Sequence, residues 1–396
     1  MNIRSITIGV NLEKIKSQEK IISKFILEGK KKLKNYNVRT IRIVTDFVNA
    51  IKKNSNQNIY NSLNEVNQLC KKNSIRWFCV PINVNLLENN KLDPNFIINI
   101  LDKFENSFIN LHIDYDEKDK NLFKKIKFCS EVIKLTSKIS SNGYDNFRLG
   151  VSCNVKKNSP FFPYSFNGAN NLSYSIAIEN IGSFYKIVKN SNKNYFSLEN
   201  LFIKKLSNHL INLNKIFINL GKKNKINYLG MDNSLAPIPD KKTNSVANLI
   251  EEIGKFKFGS NGTVFITALL TKTIKKLIDK TKIKSIGFNG VMYSVLEDEI
   301  LCKRFKERTY DYNSLTLYST VCGCGNDMIP VPGNISVDEI SSKIIDTLRI
   351  SNKLDKPLGV RLLPIPEKES FEDTDFNTDF LINTSVFPSE NSFIEF

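Results

Sequence analysis

Four short segments in the second half of the chain combine Gly or Pro turns with side chains that can do chemistry. They hold the carboxylates Asp232, Glu297, Asp298 and Asp327. Carboxylates that converge on one site can hold a hard cation such as magnesium, or they can divide acid and base roles. We predict catalytic roles for Asp232, Glu297 and Asp327, and a metal-ligand role for Asp298. The competing interpretation for each is a helix cap or turn acceptor, a common role for Asp near Gly and Pro.

The same segments contain side chains that suit substrate binding. Arg361 lies inside an apolar strand pattern, and a buried arginine needs an anion, which is either a carboxylate partner or a ligand. We therefore assign Arg361, Asn289 and Asn326 to substrate binding. By contrast, Arg39 and Arg42 lie three residues apart on a predicted strand, so they face opposite sides and are not expected to form one clamp.

The turn Cys322-Gly323-Cys324 is the most suggestive single feature. Glycine allows a sharp turn with exposed backbone N–H groups, and such groups can lower the pKa of a thiol. We predict that Cys322 is the functional thiol, that both cysteines stay reduced, and that zinc does not bind, because one intervening residue is too few for a zinc pair. The competing interpretation is a small buried thiol in a tight turn.

The composition is that of a globular protein in a reducing compartment. The chain has 396 residues, of which 41% are hydrophobic and 24% charged, with seven scattered cysteines and only two histidines. This pattern favours cytosolic thiols over a disulfide framework and argues against a centre built from several histidines. No apolar run is long enough to span a bilayer. The net charge of +17 rests mainly on lysine, spread over almost every predicted helix, so nucleic-acid binding is not favoured.

Alternation of strand and helix patterns predicts an α/β fold with a largely parallel sheet. Five strands alternate with helices up to residue 152, and a loop rich in Pro and aromatic residues occupies 154–175. Further strands are expected near 284–288, 315–321 and 358–364. No linker divides the chain. We therefore predict one domain over residues 1–366, with an acidic tail of residues 367–396 packed on it.

Several of these segments together resemble the family called domain of unknown function 711, which is related to uncharacterised protein family 0210. The resemblance covers roughly residues 1–390. The matching runs are Ile3–Thr7, Val38–Arg42, Pro160–Pro163, Asp232–Pro239, Gly287–Asp298, Val321–Gly333 and Val360–Pro366. Members tend to have Leu where Asn326 stands and Asp where Asn334 stands. Some have a histidine where this chain has Phe166-Asn167, which argues against a catalytic histidine in that loop.

The resemblance implies a fold similar to the ten-stranded α/β barrels of pyruvate formate-lyase and ribonucleotide reductase. Such barrels can place a cysteine on a central loop, and by analogy the Cys322 turn would lie there. The Cys322 position is the family-like one, whereas relatives carry an aliphatic residue at Cys324. The glycyl radical signature is absent, so we expect no glycyl radical chemistry. The family has no established reaction, and a fold does not specify one.

We predict a cytosolic enzyme on a barrel-like α/β scaffold that acts on a small polar or anionic metabolite by acid–base or metal-assisted chemistry. Magnesium is the cofactor that the carboxylates would suit. The expected partners are a small-molecule ligand and a second copy of the chain in a homo-oligomer such as a dimer, with no membrane. A non-catalytic small-molecule sensor or assembly scaffold is the alternative, and a nucleic-acid-binding protein is the third.

Overall fold

Strands and helices alternate through the first half of the chain, as the apolar pattern predicts. The computed structural model describes residues 2–50, 56–86, 93–169, 171–191, 194–239 and 242–389. Within these ranges the strands are β1 (Asn2–Val10), β2 (Val38–Thr45), β3 (Trp77–Asn83), β4 (Ser107–His112), β5 (Leu149–Cys153), β6 (Ser173–Glu179), β7 (Asn227–Asp232), β8 (Gly325–Pro332) and β9 (Leu358–Ile365). The α-helices in the same ranges are α1 (Ile15–Lys32), α2 (Asn56–Asn73), α3 (Pro94–Lys103), α4 (Leu122–Thr136), α5 (Ile181–Lys189), α6 (Tyr195–Asn224), α7 (Val246–Gly254), α8 (Thr263–Thr281), α9 (Glu299–Lys306), α10 (Tyr312–Tyr318) and α11 (Val337–Lys353).

The strands of the described ranges form one sheet in the order β7-β6-β1-β2-β3-β4-β5-β9-β8. Strands β1 to β5 run parallel to one another. Strands β6 and β7 are also parallel, as are β8 and β9. The pairs β6–β7 and β8–β9 flank the five-stranded block and join it antiparallel, at β1 with β6 and at β5 with β9. The amino-terminal ends of β1 to β5 therefore lie at the same edge of the sheet as the carboxyl-terminal ends of β6 and β9.

The mixed α/β fold is confirmed, and closure of the sheet into a ten-stranded barrel stays a prediction. Residues 284–288, expected as a strand, form isolated bridges instead of a regular strand. Parallel bridges join Met231 to Ser285 and Leu235 to Val291, on the β7 side. Another parallel bridge joins Ser294 to Asp327 of β8. The segment 285–294 thus contacts both end strands of the sheet.

The aromatic loop after β5 lies against the sheet, and we call residues 158–167 the inner loop. The carbonyl oxygen of Pro160 accepts a hydrogen bond from the Ser5 hydroxyl of β1 at 3.2 Å. The carbonyl oxygen of Ser165 accepts from the Asn110 amide of β4 at 3.1 Å. The Tyr164 hydroxyl donates to Asp327 of β8 at 2.7 Å. Side chains of β1, β4 and β8 therefore hold the loop in place.

Small residues on the strands make room for the inner loop. A Cβ atom added at Gly150 of β5 would lie 2.6 Å from the Pro163 ring and 2.7 Å from the Tyr164 ring. A Cβ atom added at Gly359 of β9 would lie 2.4 Å from the Tyr164 ring. These separations are far below van der Waals contact, so close approach of the loop requires glycine at both positions.

The second half departs from the sequence prediction in two ways. The strand expected at 315–321 is wrong, because most of that segment belongs to α10. The Asp311 side chain accepts a hydrogen bond from the Ser314 N–H at 2.7 Å and so caps this helix. Conversely, β6, β7 and β8 were not anticipated. β8 carries Pro330 and Pro332, which weaken a strand pattern but are tolerated at the edge of a sheet.

Residues beyond 366 contact the rest of the chain through aromatic rings. Phe387 stacks on Phe305 of α9 with ring centroids 3.6 Å apart, and Phe380 stacks on Phe147 at 5.8 Å. The division into a domain of residues 1–366 and a tail stays a prediction. Across the described ranges, no helix combines the length and apolarity needed to cross a membrane.

A pair of Gly→Ala variants tests the packing of the inner loop. Gly150→Ala is expected to lower the free energy of unfolding by about 1–3 kcal/mol, because its methyl group would overlap Pro163 and Tyr164. Gly29→Ala, inside α1, is the matched control, because its nearest neighbour is a Leu220 methyl carbon at 3.8 Å. It should raise stability by about 0.5–1 kcal/mol through helix propensity. Urea unfolding measures both, and equal effects of the two variants would contradict this packing.

Candidate active site

A cavity rich in arginine opens at the edge of the sheet where β1 to β4 begin. It holds about 710 Å³ of empty space, which includes open solvent. The chain has nine arginines and 48 lysines, yet five arginines and no lysine are among the described lining residues. The five are Arg4, Arg39, Arg42, Arg76 and Arg361. We call this site the arginine cavity.

Aromatic side chains and two carboxylates complete the lining. The aromatic residues are Trp77, Phe108, Phe147, Phe161, Phe162, Tyr164 and Phe380, and the carboxylates are Glu297 and Asp327. Five guanidinium groups against two carboxylates leave an excess of positive charge. A low-dielectric aromatic wall strengthens the attraction of that charge for an anion.

Arg4 of β1 and Arg42 of the neighbouring strand β2 both line the cavity, although Arg42 pairs with Thr7 in the strand register. Arg4 is buried, and its Nη1 donates to the carbonyl oxygens of Ala236 at 3.2 Å and Pro237 at 2.8 Å. The Nε of Arg42 donates to the Thr40 hydroxyl at 3.0 Å. The Arg42 guanidinium also lies over the Phe162 ring, 5.2 Å from its centroid. These contacts hold both cations in place, and no carboxylate of the described residues lies within hydrogen-bond distance of either guanidinium.

Burial and like charge act on the same guanidinium. Burial, together with the neighbouring charges of Arg4 and Arg39, lowers the pKa of Arg42 to about 9, while Glu297 acts in the opposite direction. Burial also lowers the pKa of Arg4. Cations under such repulsion are stabilised by any anion that enters between them.

Arg39 and Arg42 line this cavity together, so the expectation that they do not share a site is wrong. Arg39 lies at the start of β2, and its Nη1 is 3.7 Å from Glu179 Oε1 at the end of β6. Strand alternation separates adjacent Cβ atoms, but a long side chain near a strand end can reach the same opening.

Asp327 and Arg361 form a buried ion pair on adjacent strands β8 and β9. Arg361 Nε and Nη2 donate to the two Asp327 oxygens, each at 2.8 Å. Tyr164 donates to the same carboxylate at 2.7 Å. Although burial acts to lower it, the Asp327 carboxylate raises the pKa of Arg361 above its ordinary value. Asp327 therefore positions Arg361 and the inner loop, and its own oxygens are occupied.

Glu297 is the lining carboxylate that makes no short contact with a guanidinium. Its oxygens are 3.8 Å from Arg4 Nη2 and 4.0 Å from Arg361 Nη2. Its Oε2 accepts a hydrogen bond from the Ser294 hydroxyl at 2.7 Å. The side chain is 15% exposed. Glu297 is thus oriented and reachable from the cavity, as a group that exchanges a proton with a ligand must be.

Cys322 and Asn289, also predicted from the sequence, line a different cavity. This second cavity is lined by Lys156, Lys272, Lys275, Lys276 and Lys356, and we call it the lysine cavity. It shares no described lining residue with the arginine cavity. The predicted cluster is therefore divided, with Glu297, Asp327 and Arg361 in one cavity and Cys322 with Asn289 in the other. The Cys322 turn lies just before β8, and its placement on a central barrel loop stays a prediction.

Asp232 lies at the end of β7 and organises the turn that follows the predicted strand at 284–288. Its Oδ2 accepts from the Phe288 N–H at 2.6 Å, and its Oδ1 accepts from the Ser234 N–H at 2.7 Å and the Asn289 N–H at 3.3 Å. It is fully buried. Burial raises its pKa to about 6, and the hydrogen bonds act in the opposite direction. These contacts match the turn-acceptor alternative. Asp232 itself lines neither cavity, whereas Phe288 and Asn289, which it holds, belong to the lining of the lysine cavity.

Asp298 caps two helices at once. Its oxygens accept from Ile300 N–H and Leu301 N–H, both at 3.0 Å, at the start of α9. They also accept from Val246 N–H at 2.7 Å and from the Ser245 hydroxyl at 2.5 Å, at the start of α7. Orphan helix N–H groups attract a carboxylate strongly. These contacts match the capping alternative for Asp298, and its metal role stays a prediction.

Asn326 is buried between β8 and the outer helices. Its amide nitrogen lies 3.1 Å from the hydroxyls of Tyr312, Thr316 and Thr347, so it contacts α10 and α11 and lines neither cavity. Within the part of the chain that the structure describes, no three His, Cys, Asp or Glu side chains are grouped to hold a metal ion. Magnesium binding therefore stays a prediction.

The sequence analysis missed Arg4, Arg42, Arg76 and the aromatic wall as site residues. A signal was available, because arginine is rare in a chain so rich in lysine. Guanidinium groups bind carboxylate and phosphate in two-point geometry, which ammonium groups cannot do. What the sequence cannot show is that β1, β2 and β3 lie side by side and bring these arginines to one opening.

Comparison with known proteins identifies relatives without a described activity. A family model described as "Uncharacterised ACR (DUF711)" matches residues 1–377. A UPF0210 protein of Pyrobaculum aerophilum is 30% identical over 222 residues, which cover 55% of this chain and 49% of the relative. A UPF0210 protein of Clostridium perfringens is 29% identical over 249 residues, covering 62% of this chain and 55% of the relative. The matches therefore span about half the length of these curated relatives. The resemblance inferred from sequence motifs is confirmed for the family.

The raised pKa of Asp232 predicts a pH-dependent stability. A carboxyl group whose pKa rises from 3.8 to about 6 on folding binds its proton more tightly in the folded state. Its contribution to the free energy of unfolding therefore falls as pH rises from about 4 to 6. The shift corresponds to roughly 3 kcal/mol. Urea unfolding of the wild type and of Asp232→Asn across this pH range isolates the contribution of the carboxyl group, because the amide of the variant does not titrate. The wild type should lose stability relative to the variant, and parallel curves would contradict the prediction.

Proposed function

The chain belongs to the family described as "Uncharacterised ACR (DUF711)", and we propose that it is an enzyme that acts on a small anionic metabolite in the arginine cavity. The observation that carries this proposal is the gathering of five of the chain's nine arginines around one opening. Surface charge in this protein is supplied by lysine, so the arginines are concentrated where planar, two-point recognition of an anion is useful.

The lining favours a carboxylate or phosphate group attached to a flat or apolar body. Arg76 lies 4.5 Å from the Phe380 ring centroid and 5.4 Å from that of Trp77. The rings of Phe108 and Phe147, which also line the cavity, pack edge to face with their centroids 5.2 Å apart. Guanidinium groups bind the anionic end, and the rings exclude water around the rest of the ligand.

Glu297 is the proposed acid–base residue. It lines the cavity close to Arg4 and Arg361 without a short ion pair to either one. A carboxylate in an anion-binding cavity repels the ligand and so weakens its binding. A sensor or scaffold that only binds the ligand gains nothing from such a group. An enzyme can use it to take a proton from a bound metabolite or to return one. This favours the enzyme over the non-catalytic sensor.

Asp327 and Tyr164 are proposed positioning residues. Their hydrogen bonds lock Arg361 in one orientation, and a locked guanidinium loses less entropy when it binds an anion. We further propose that the protein works in a reducing compartment such as the cytosol, since the seven cysteines are buried thiols without disulfides.

Removal of one cavity arginine tests the binding site. Phosphate at about 100 times its dissociation constant should stabilise the wild type by about 2.7 kcal/mol, beyond sodium chloride at equal ionic strength. Arg42→Met should weaken phosphate binding at least about tenfold. Without phosphate, this variant should change stability by no more than about 1 kcal/mol, because Arg42 is repelled by Arg4 and Arg39. Thermal unfolding in a phosphate titration measures both effects.

The matched control for this experiment is Arg349→Met. Arg349 is exposed on α11 and pairs with Glu117, outside the arginine cavity. This control should keep the phosphate response of the wild type. An unchanged response in Arg42→Met, or an equal loss in Arg349→Met, would show that the anion does not bind among the cavity arginines.

Replacement of Glu297 is expected to strengthen phosphate binding, whereas replacement of Arg42 is expected to weaken it. Glu297→Gln is expected to strengthen phosphate binding by about three- to fivefold, because it removes a negative charge from the cavity. Gln remains able to accept from Ser294, so the fold should be retained. Isothermal titration of both proteins gives the ratio of dissociation constants. Weaker binding by the variant would mean that Glu297 contacts the ligand favourably and is not the repelled base proposed here.

A further inference from the structure

An apolar cavity adjoins the arginine cavity at the edge of the sheet where β2 and β3 begin. It lies between α1 and the strands β1 and β2, and it holds about 830 Å³ of empty space, which includes open solvent. We call it the helix cavity. Arg39, Thr40 and Arg76 line both this cavity and the arginine cavity. Because the two cavities share these residues, one ligand of sufficient length can occupy both.

The lining of the helix cavity is mainly apolar. The apolar side chains come from α1, from the residue that follows it and from two strands, and they are Ile6, Phe25, Ile26, Leu33, Val38 and Ile41. Val38 and Ile41 stay half-buried, although β1 and β3 flank their strand β2 in the sheet. Helices normally cover the apolar side chains of an inner strand, because contact with water is unfavourable to them. The space beside Ile41 therefore suits an apolar chain.

All charged side chains among the described lining residues of the helix cavity are cations. They are Lys30, which is exposed on α1, and the shared residues Arg39 and Arg76. Arg39 Nη1 is 3.7 Å from Glu179 Oε1, and the Arg76 guanidinium lies 4.5 Å from the Phe380 ring centroid. Neither contact is a short ion pair, so both guanidinium groups can bind an anion. An apolar space with cations at one end is complementary to a ligand with an anionic end and an apolar chain.

We propose that the anionic ligand of the arginine cavity carries an unbranched apolar chain, and that this chain lies in the helix cavity between α1 and β2. This inference rests on the proposed function, because it takes the anion site as given and adds the rest of the substrate. The substrate class is a single-chain amphiphile with a carboxylate or phosphate group at one end. Arg39 and Arg76 lie where the head group meets the chain.

An apolar chain fits the helix cavity better than a polar group does. Apart from the three cations, the polar side chains among its described lining residues are Thr40 and Ser74. A polar group there would lose hydrogen bonds to water and find few to replace them. Removal of a methylene group from water is favourable, and each one that is buried tightens binding by up to about fourfold.

Monoalkyl phosphates from ethyl to hexyl phosphate separate the contributions of the two cavities. The affinity for ethyl phosphate measures binding of the head group, and the ratio of hexyl to ethyl phosphate affinity measures the contribution of the chain. Isothermal titration of the full-length protein gives both quantities. Hexyl phosphate is expected to bind at least about tenfold more tightly than ethyl phosphate, because it has four more methylene groups to bury.

Ile41→Trp is expected to remove most of this dependence on chain length, because the larger side chain fills the helix cavity. Its affinity ratio should fall to about two or less. Its affinity for ethyl phosphate should equal that of the wild type, since Ile41 does not line the arginine cavity. Leu229→Trp is the matched control, because Leu229 is also half-buried on a strand, β7, and lines neither cavity. This control should keep the wild-type ratio.

Three results would overturn the proposal. Equal affinities of the wild type for ethyl and hexyl phosphate would mean that no chain enters the helix cavity. A wild-type ratio in Ile41→Trp would mean that the chain lies elsewhere, for example against the aromatic rings of the arginine cavity. An equal loss in Leu229→Trp would mean that the effect is not specific to this cavity. The wild-type series needs no variant, so it tests the proposal even if a variant does not fold.

The same titrations distinguish failure of this inference from failure of the proposed function. If ethyl phosphate binds and the chain adds nothing, the arginine cavity remains an anion site and the inference about the chain is wrong. If no member of the series binds, both the anion site and the chain site are wrong. Thermal unfolding of the two tryptophan variants checks that they are folded.

Discussion

The buried ion pair between Asp327 and Arg361 holds together the parts of the molecule that form the arginine cavity. Two hydrogen bonds of 2.8 Å join β8 to β9, and Tyr164 connects the inner loop to the same carboxylate. Both charged side chains are almost entirely excluded from water. Removal of one partner would leave the other charge buried without a partner and lower the free energy of unfolding by about 3–5 kcal/mol. Arg361 and the inner loop, which line the cavity, are therefore held in place before a ligand binds. Preorganisation of this kind reduces the entropy that binding must overcome.

The arginine and lysine cavities use different cations for different recognition. The guanidinium groups of Arg4 and Arg42 are held by backbone carbonyls, by a hydroxyl and by an aromatic ring, and not by a short ion pair. The lysine cavity presents ammonium groups, which are point charges on long side chains. The first arrangement suits shape-specific binding of one anion. The second lacks the planar two-point geometry of guanidinium. Both follow from the same general excess of basic residues.

Space for the site comes from small side chains. The inner loop brings Phe161, Phe162 and Tyr164 against the sheet because Gly150 and Gly359 leave no side chain in their way. The antiparallel junctions of β1 with β6 and of β5 with β9 then place strand beginnings and strand ends at one edge. The arginine cavity lies where β1 to β4 begin, whereas parallel α/β sheets usually bind ligands at the carboxyl ends of their strands. The antiparallel pairing of β6 with β1 and of β9 with β5 accounts for this location, because it brings strand ends to the edge where β1 to β5 begin.

The sequence by itself determined the α/β class, the family and the first five strands, because apolar periodicity is a local property that neighbouring residues encode. It also singled out Glu297, Asp327 and Arg361, which line one cavity in the structure, although their roles stay predictions. For Arg361 the signal was a charged group inside an apolar pattern, which must find a partner. The cap and turn-acceptor roles of Asp232 and Asp298 were open from the sequence, because each carboxylate also binds an N–H group two residues ahead of it. Only the tertiary structure added the N–H groups of Phe288 and Val246, which lie more than fifty residues away in the chain. Likewise, Arg4 and Arg42 share a cavity only because β1 pairs with β2, and the order of strands is set by packing that no single segment contains.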